Sequence, residues 1–112
     1  MKLWLLVLIA CAAGAQPKPA RFEPDPYWPQ QLPNNWMLGQ VSGIFVDSHD
    51  HVWVIHRPRT LDGHDTYAAK GQADCCIPAP PVLEFDAAGK FVQGWGGPGQ
   101  GYDWPENEHG IF

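Results

Sequence analysis

Gly43-Ile44-Phe45 and Gly110-Ile111-Phe112 are the same three residues set 67 positions apart, from 43 to 110. Between them lie four short apolar segments separated by turn residues, so the chain is organised on a period, the sequence signature of repeat architectures. The first copy continues into Val46 and Asp47, and the second ends at Phe112. The pattern reads as the opening portion of a longer repeat protein, with 98–112 forming the connection to a second unit and the start of its first strand. Any site shared between units is then completed by residues of later repeats.

The four segments are predicted as strands. Val41 to Val46 ends at the polar turn Asp47-Ser48-His49-Asp50, and His51 to His56 follows, with Val52, Val54 and His56 on one face and Trp53 and Ile55 on the other. Val82 to Phe85 closes at Asp86-Ala87-Ala88-Gly89-Lys90, and Phe91 to Trp95 runs into Gly96-Gly97-Pro98-Gly99. The glycines of 94–101 open no helix and precede no Gly-Lys-Ser/Thr, so they make a turn and not a phosphate cradle. The expected fold is all-β: a four-stranded antiparallel meander over 40–97, interrupted by an insertion at 58–81. Strands this short need neighbouring sheets against their faces, which radial repetition supplies.

The beginning of the chain has a different character. Met1-Lys2, the apolar run Leu3 to Ala10 and Ala13-Gly14-Ala15 match a secretory signal peptide over 1–15, too short for a transmembrane span. Leu8-Ile9-Ala10-Cys11 can also be read as a lipoprotein cleavage box that lipidates Cys11. The expected location is periplasmic or secreted. Residues 16–39 form a proline-rich lead-in, where Pro17, Pro19, Pro24, Pro26, Pro29 and Pro33 forbid helix and disfavour a central strand. Its aromatic residues Phe22, Tyr27, Trp28 and Trp36 predict that it lies across the folded body.

Of the seven basic residues, loss of Lys2 leaves six against twelve acidic ones, a formal −6 with His neutral. No basic stripe is present, which argues against nucleic acid as a partner. After removal of Cys11 the cysteines are Cys75 and Cys76, adjacent in the insertion. Three arrangements are open: a vicinal disulfide, pairing of each with a cysteine elsewhere, or metal ligation. The first suits an oxidising compartment, and the pair lacks the C-x-x-C spacing of a zinc site.

Gly43-Ile44-Phe45-Val46-Asp47, Val52-Trp53-Val54, Val82-Leu83-Glu84-Phe85-Asp86, Gly89-Lys90-Phe91 and Gly94-Trp95-Gly96 together resemble one repeat of the NHL-type β-propeller. The resemblance covers about half of the chain and implies a four-stranded antiparallel blade, one of six. Gln40-Val41-Ser42-Gly43-Ile44 through Val54-Ile55-His56-Arg57 also resembles the start of the lyase domain of peptidylglycine amidating enzymes. Those propellers split a peptidyl α-hydroxyglycine into a peptide amide and glyoxylate, with zinc held by histidines of several blades and calcium held partly by main-chain carbonyls.

By that resemblance Arg57 corresponds to the active-site arginine, His109 to the first zinc histidine, and the carbonyls of Ile44 and Ile111 to calcium ligands. Pro58 stands where the lyases usually have glycine, and the Cys75-Cys76 insertion is outside their pattern. The family's tyrosine and remaining histidines would lie beyond Phe112, so the residues here are expected to be inactive by themselves. Independently of the resemblance, Pro58 restricts Arg57 to extended geometry, and a fixed guanidinium suits a carboxylate. Two other readings remain: a non-catalytic propeller binding a small molecule, peptide, glycan or protein on its loop face, and a calcium-dependent hydrolase using Glu106, Glu108 and His109. Asp47, His49, Asp50 and His51 crowd the first turn and form a lesser candidate for metal. Glu106 and Glu108 are candidates to orient the His109 imidazole, or are simply polar loop residues.

Overall fold

A computed structural model describes residues 17–65, 67, 72 and 75–112. The signal peptide expected at 1–15, with Cys11, lies outside the described residues. Strands dominate: β1 (Trp36–Met37), β2 (Gln40–Val46), β3 (Val52–Arg57), β4 (Ile77–Pro78), β5 (Val82–Phe85) and β6 (Phe91–Trp95), with a 3-10 turn at Pro58–Thr60. The protein is all-β, and no helix among the described residues is long and apolar enough to cross a membrane.

Four strands form an antiparallel sheet in the order β2-β3-β5-β6. β5 and β6 have the expected bounds, β2 starts one residue early and β3 is shifted by one, so Arg57 is the last residue of β3 and pairs with Gln40. Two turns of one design close the hairpins. Asp47 Oδ1 accepts the N–H groups of His49 and His51, and Asp86 Oδ1 accepts those of Ala88 and Lys90. In each turn the fourth residue has positive φ, Asp50 at 60° and Gly89 at 80°. An aspartate that folds back on its own main chain, followed by a left-handed residue, is a compact way to reverse an antiparallel pair. The sheet is bulged at Ser42, because Val41 faces His56 and Gly43 faces Ile55.

One face of the sheet holds Val54, Leu83 and Phe85, buried with Ala79, and Val52 and Phe91 pack beside them. Trp28, Leu32, Trp36 and Leu38 of the lead-in cover this face. Trp28 sits 5.6 Å from Phe85 and Trp36 sits 5.5 Å from Phe91, centroid to centroid. The Trp28 ring occupies the space above Gly89, where a Cβ would lie 2.7 Å from Cδ1. Gln30 bonds the Gly89 carbonyl at 2.9 Å. The earlier part of the lead-in behaves otherwise: Phe22 and Tyr27 are exposed, so the docking starts at Trp28.

A second sheet differs from the sequence expectation. β1 lies in the lead-in and β4 in the insertion, and they pair in parallel, Trp36 opposite Ile77 and Met37 opposite Pro78. The insertion is thus stitched to the lead-in at its far end. Cys75 and Cys76, just ahead of β4, are joined to each other as a disulfide.

Candidate functional site

The end of the large sheet where β2 starts, β3 and β6 finish and β5 starts gathers most of the polar chemistry. His56, one residue from the end of β3, is fully buried. Its Nδ1 accepts the Gly39 N–H at 3.1 Å, and its Nε2–H donates to the Pro80 carbonyl at 2.9 Å. Both ring nitrogens are committed, which fixes a neutral tautomer and leaves no lone pair for a metal. Burial pushes this imidazole below its ordinary 6.5, against the opposing pull of the Pro80 carbonyl and the charge of Glu108. His56 therefore clamps the lead-in to the insertion.

Arg57 behaves differently. Its Nε–H donates to the main-chain carbonyl of Glu108 at 2.8 Å, bridging 51 positions of sequence. A guanidinium carries five N–H donors in a rigid fork, and anchoring one of them fixes the plane of the rest. In β2, a Cβ on Gly43 would lie 3.1 Å from the Gly110 Cα and 3.3 Å from the Ile111 N. The two copies of the repeated phrase are thus in contact. Because Glu108 meets the residue opposite Gln40 while Gly110 and Ile111 meet Gly43, the 108–111 segment advances beside β2 in the same direction.

Arg57, Ile44, His109 and Ile111, singled out by resemblance, are therefore neighbours or one residue removed from a contact. His109 is exposed and bonds no other described residue, so its imidazole is available. The pair Cys75-Cys76 belongs to the insertion and takes no part in these contacts. As a donor set these residues offer one free imidazole and two main-chain carbonyls. An imidazole suits zinc and carbonyl oxygens suit calcium, but structural zinc takes four ligands and catalytic zinc three from protein. The described residues fit as part of such a centre and do not complete one.

Glu108 does not orient His109 as expected. Its side chain is turned inward, 3% exposed, where Oε1 accepts the Trp104 indole N–H at 2.8 Å and Oε2 has no partner. Glu106 is exposed. Beside Glu108 opens a pocket of about 350 Å³, walled by Trp36, Pro78, Ala79, Pro80, Pro81 and Pro98 among others, with Pro58 and Arg59 at the exit of β3.

The crowded first turn resolves into a network on the opposite face of the sheet. His51 Nδ1 lies 2.6 Å from Glu84 Oε1, whose Oε2 accepts the Gln93 amide at 2.6 Å, and the Trp53 indole donates to Asp47 Oδ2 at 2.9 Å. Asp47, His51 and Glu84 come close enough to hold a cation together, yet the inward oxygens are already accepting bonds that set the hairpin. His49 remains exposed and only 4.0 Å from Asp47. The Glu84 bond raises the His51 imidazole above its ordinary 6.5, and the Trp53 bond lowers the Asp47 carboxyl. In the sequence His51 belongs to the turn, and nothing there brings its ring to Glu84, an acidic residue inside an otherwise apolar strand that lies opposite Trp53.

No family model, curated protein or solved structure matches the chain.

Proposed function

We propose that the four-stranded sheet is one blade of an exported β-propeller, and that its Arg57 end is the ligand end of a lyase-like enzyme acting on peptidyl α-hydroxyglycine or a similar small carbinol. The observation that carries this reading is the bond from Arg57 to Glu108, which brings the arginine beside His109 although the two are distant in sequence. The contact of Gly43 with Gly110 and Ile111 supports a common axis for the two strand copies, as adjacent blades require.

In this reading Arg57, fixed through Nε, presents its terminal nitrogens to the substrate carboxylate, the bidentate geometry in which arginine excels. In the metal centre His109 would supply one imidazole to zinc and the main-chain carbonyls of Ile44 and Ile111 would supply oxygens to calcium, with the other ligands coming from further blades. When bound, zinc provides Lewis-acid polarisation of the carbinol oxygen. The reaction breaks the C–N bond of the carbinol: the hydroxyl proton leaves, the oxygen becomes the aldehyde of glyoxylate, and the amide nitrogen takes a proton. Holding the carboxylate in one plane contributes by orientation.

The test is glyoxylate release from an N-acyl α-hydroxyglycine by the protein with its remaining blades, together with its metal content. Arg57→Lys keeps the charge but loses the fork, and is expected to lower kcat/KM at least tenfold. His109→Ala is expected to lower bound zinc. Equal zinc in the two proteins, or no glyoxylate from the unaltered one, overturns the reading in favour of a propeller that binds a peptide, glycan or protein without chemistry.

A further inference from the structure

The turn between β2 and β3 lies at the end of the sheet away from Arg57 and carries two imidazoles, His49 and His51, with Asp50 between them. Its main chain is fixed: Asp47 Oδ1 accepts the His49 N–H at 2.8 Å and the His51 N–H at 3.0 Å, and Asp50 has positive φ. The two rings stand 6.3 Å apart, centroid to centroid.

The His51 ring is oriented from within the sheet. Its Nδ1 lies 2.6 Å from Glu84 Oε1, and an ionised carboxylate only accepts, so Nδ1 carries the proton and the neutral ring keeps its lone pair on Nε2. Glu84 is held in turn through its other oxygen, which accepts the Gln93 amide at 2.6 Å. Among the described residues the one enclosed side-chain polar atom without a partner is Glu108 Oε2, so the unbonded Nε2 of His51 opens to solvent, and the side chain is 31% exposed. A buried carboxylate holding one ring nitrogen while the other faces outward is the arrangement that metal-ligating histidines share.

His49 supplies a second imidazole. Its side chain is 81% exposed and its Nδ1 lies 4.0 Å from Asp47 Oδ1, too far for a hydrogen bond. Two imidazoles on one tetrahedral ion, with bonds of about 2.0–2.1 Å, bring their centroids to roughly 5 Å. Rotation of the exposed His49 side chain supplies that approach. The charges of Asp47, Glu84 and Asp86 act on His51 and favour a cation beside it.

We infer that His49 and His51 form a surface site for a transition-metal ion, zinc foremost, with His51 bonded through Nε2, His49 through one ring nitrogen, and water in the remaining positions. Asp47 and Glu84 keep their hairpin bonds and support the two rings instead of binding the ion. Imidazole suits zinc, copper and nickel, whereas calcium and magnesium call for oxygen. Where His51 is protonated, the ion displaces the Nε2 proton, which passes to solvent. The site uses neither Arg57 nor His109, so it stands or falls separately from the enzymatic reading.

The test is titration with zinc chloride, followed by NMR through the ring Cε1–H signals of His49 and His51. Both signals are expected to shift together to one saturation point, and calcium at the same concentration is expected to leave them in place. Zinc held at His109 moves neither ring, so the two centres are read apart. His49→Ala removes an exposed side chain that makes no hydrogen bond, and is expected to weaken zinc at the His51 ring at least tenfold. Glu84→Gln keeps an acceptor for Nδ1 but removes its charge, and is expected to weaken zinc about tenfold, as loss of such a partner does. A shift of one ring alone, an equal response to calcium, or unchanged affinity in His49→Ala overturns the site. Unchanged affinity in Glu84→Gln overturns the part given to Glu84.

Discussion

β5 and β2 are built from similar residues and end in opposite environments. Val82–Phe85 is buried at every position, with β3 and β6 on its flanks. Gln40–Val46 is an edge strand, and Val41, Ile44, Phe45 and Val46 are all exposed, Ile44 by 61%. An edge with this much apolar surface is a template for further pairing. The second Gly-Ile-Phe comes over the face of this strand at Gly43, beside the Ile55 side chain. The difference teaches that apolar content alone does not locate the core of this chain; flanking strands and, on one face, the lead-in do.

The largest expected effect comes from the covered strand. Phe85 is fully enclosed under Trp28 and Phe91, so Phe85→Ala is expected to cost about 3–5 kcal/mol, enough to remove most of the urea resistance of a marginally stable fold. A loss under about 1 kcal/mol would mean that the lead-in does not cover this face. Gly43→Val comes next. Its side chain would collide with Gly110, Ile111 and the Ile55 side chain, and overpacking of this kind costs about 1–3 kcal/mol. Hydrogen exchange at Ile111 should rise in this variant, and unchanged protection would break the contact between the two copies.

A smaller effect follows from pH, through two histidines of opposite sign. His56 is held neutral with a lowered pKa, so its contribution is full above about pH 6.5 and fades as pH falls toward the folded value. His51 is raised by Glu84, so its contribution is full below about pH 6.5 and is lost as pH rises through the folded value. Urea midpoints between pH 5 and 8 should therefore slope upward with pH more steeply in His51→Gln than in the parent. A steeper downward slope would reverse the assignment of the two. The smallest effect belongs to the open edge: Ile44→Ser is expected to stay within about 0.5 kcal/mol of the parent, as exposed positions do. If it matched Phe85→Ala, the contrast between the strands would vanish.

What could be read from the sequence follows the same divide. β5 and β6 are short segments whose apolar ends, Val82 and Phe85 and then Phe91 and Trp95, are cut off by Asp86 and Gly96, signals that need no tertiary knowledge, and their bounds emerge directly. β1 and β4 are two residues each, carry no periodicity, and exist because Trp36 meets Ile77 across the insertion. Aromatic content correctly pointed to a docked lead-in but did not separate Trp28 from the exposed Tyr27 and Phe22. At the site, Pro58 drew attention to Arg57, whereas its bond to Glu108 depends on the path of residues 98–108. Glu108 read as a polar loop residue beside His109, because nothing local says that Trp104 folds over it. The Glu84 pairing with His51 needed the register of β3 on β5.

The twin aspartate turns have a kinetic consequence. Each closes its hairpin within a few residues, so β2 with β3 and β5 with β6 are local pairs that form on the microsecond scale of isolated hairpins. The β3–β5 pairing, Val52 opposite Phe85, must instead close a long loop, and its entropy grows with loop length. Shortening the 58–81 segment should thus speed folding while leaving both hairpins as they are.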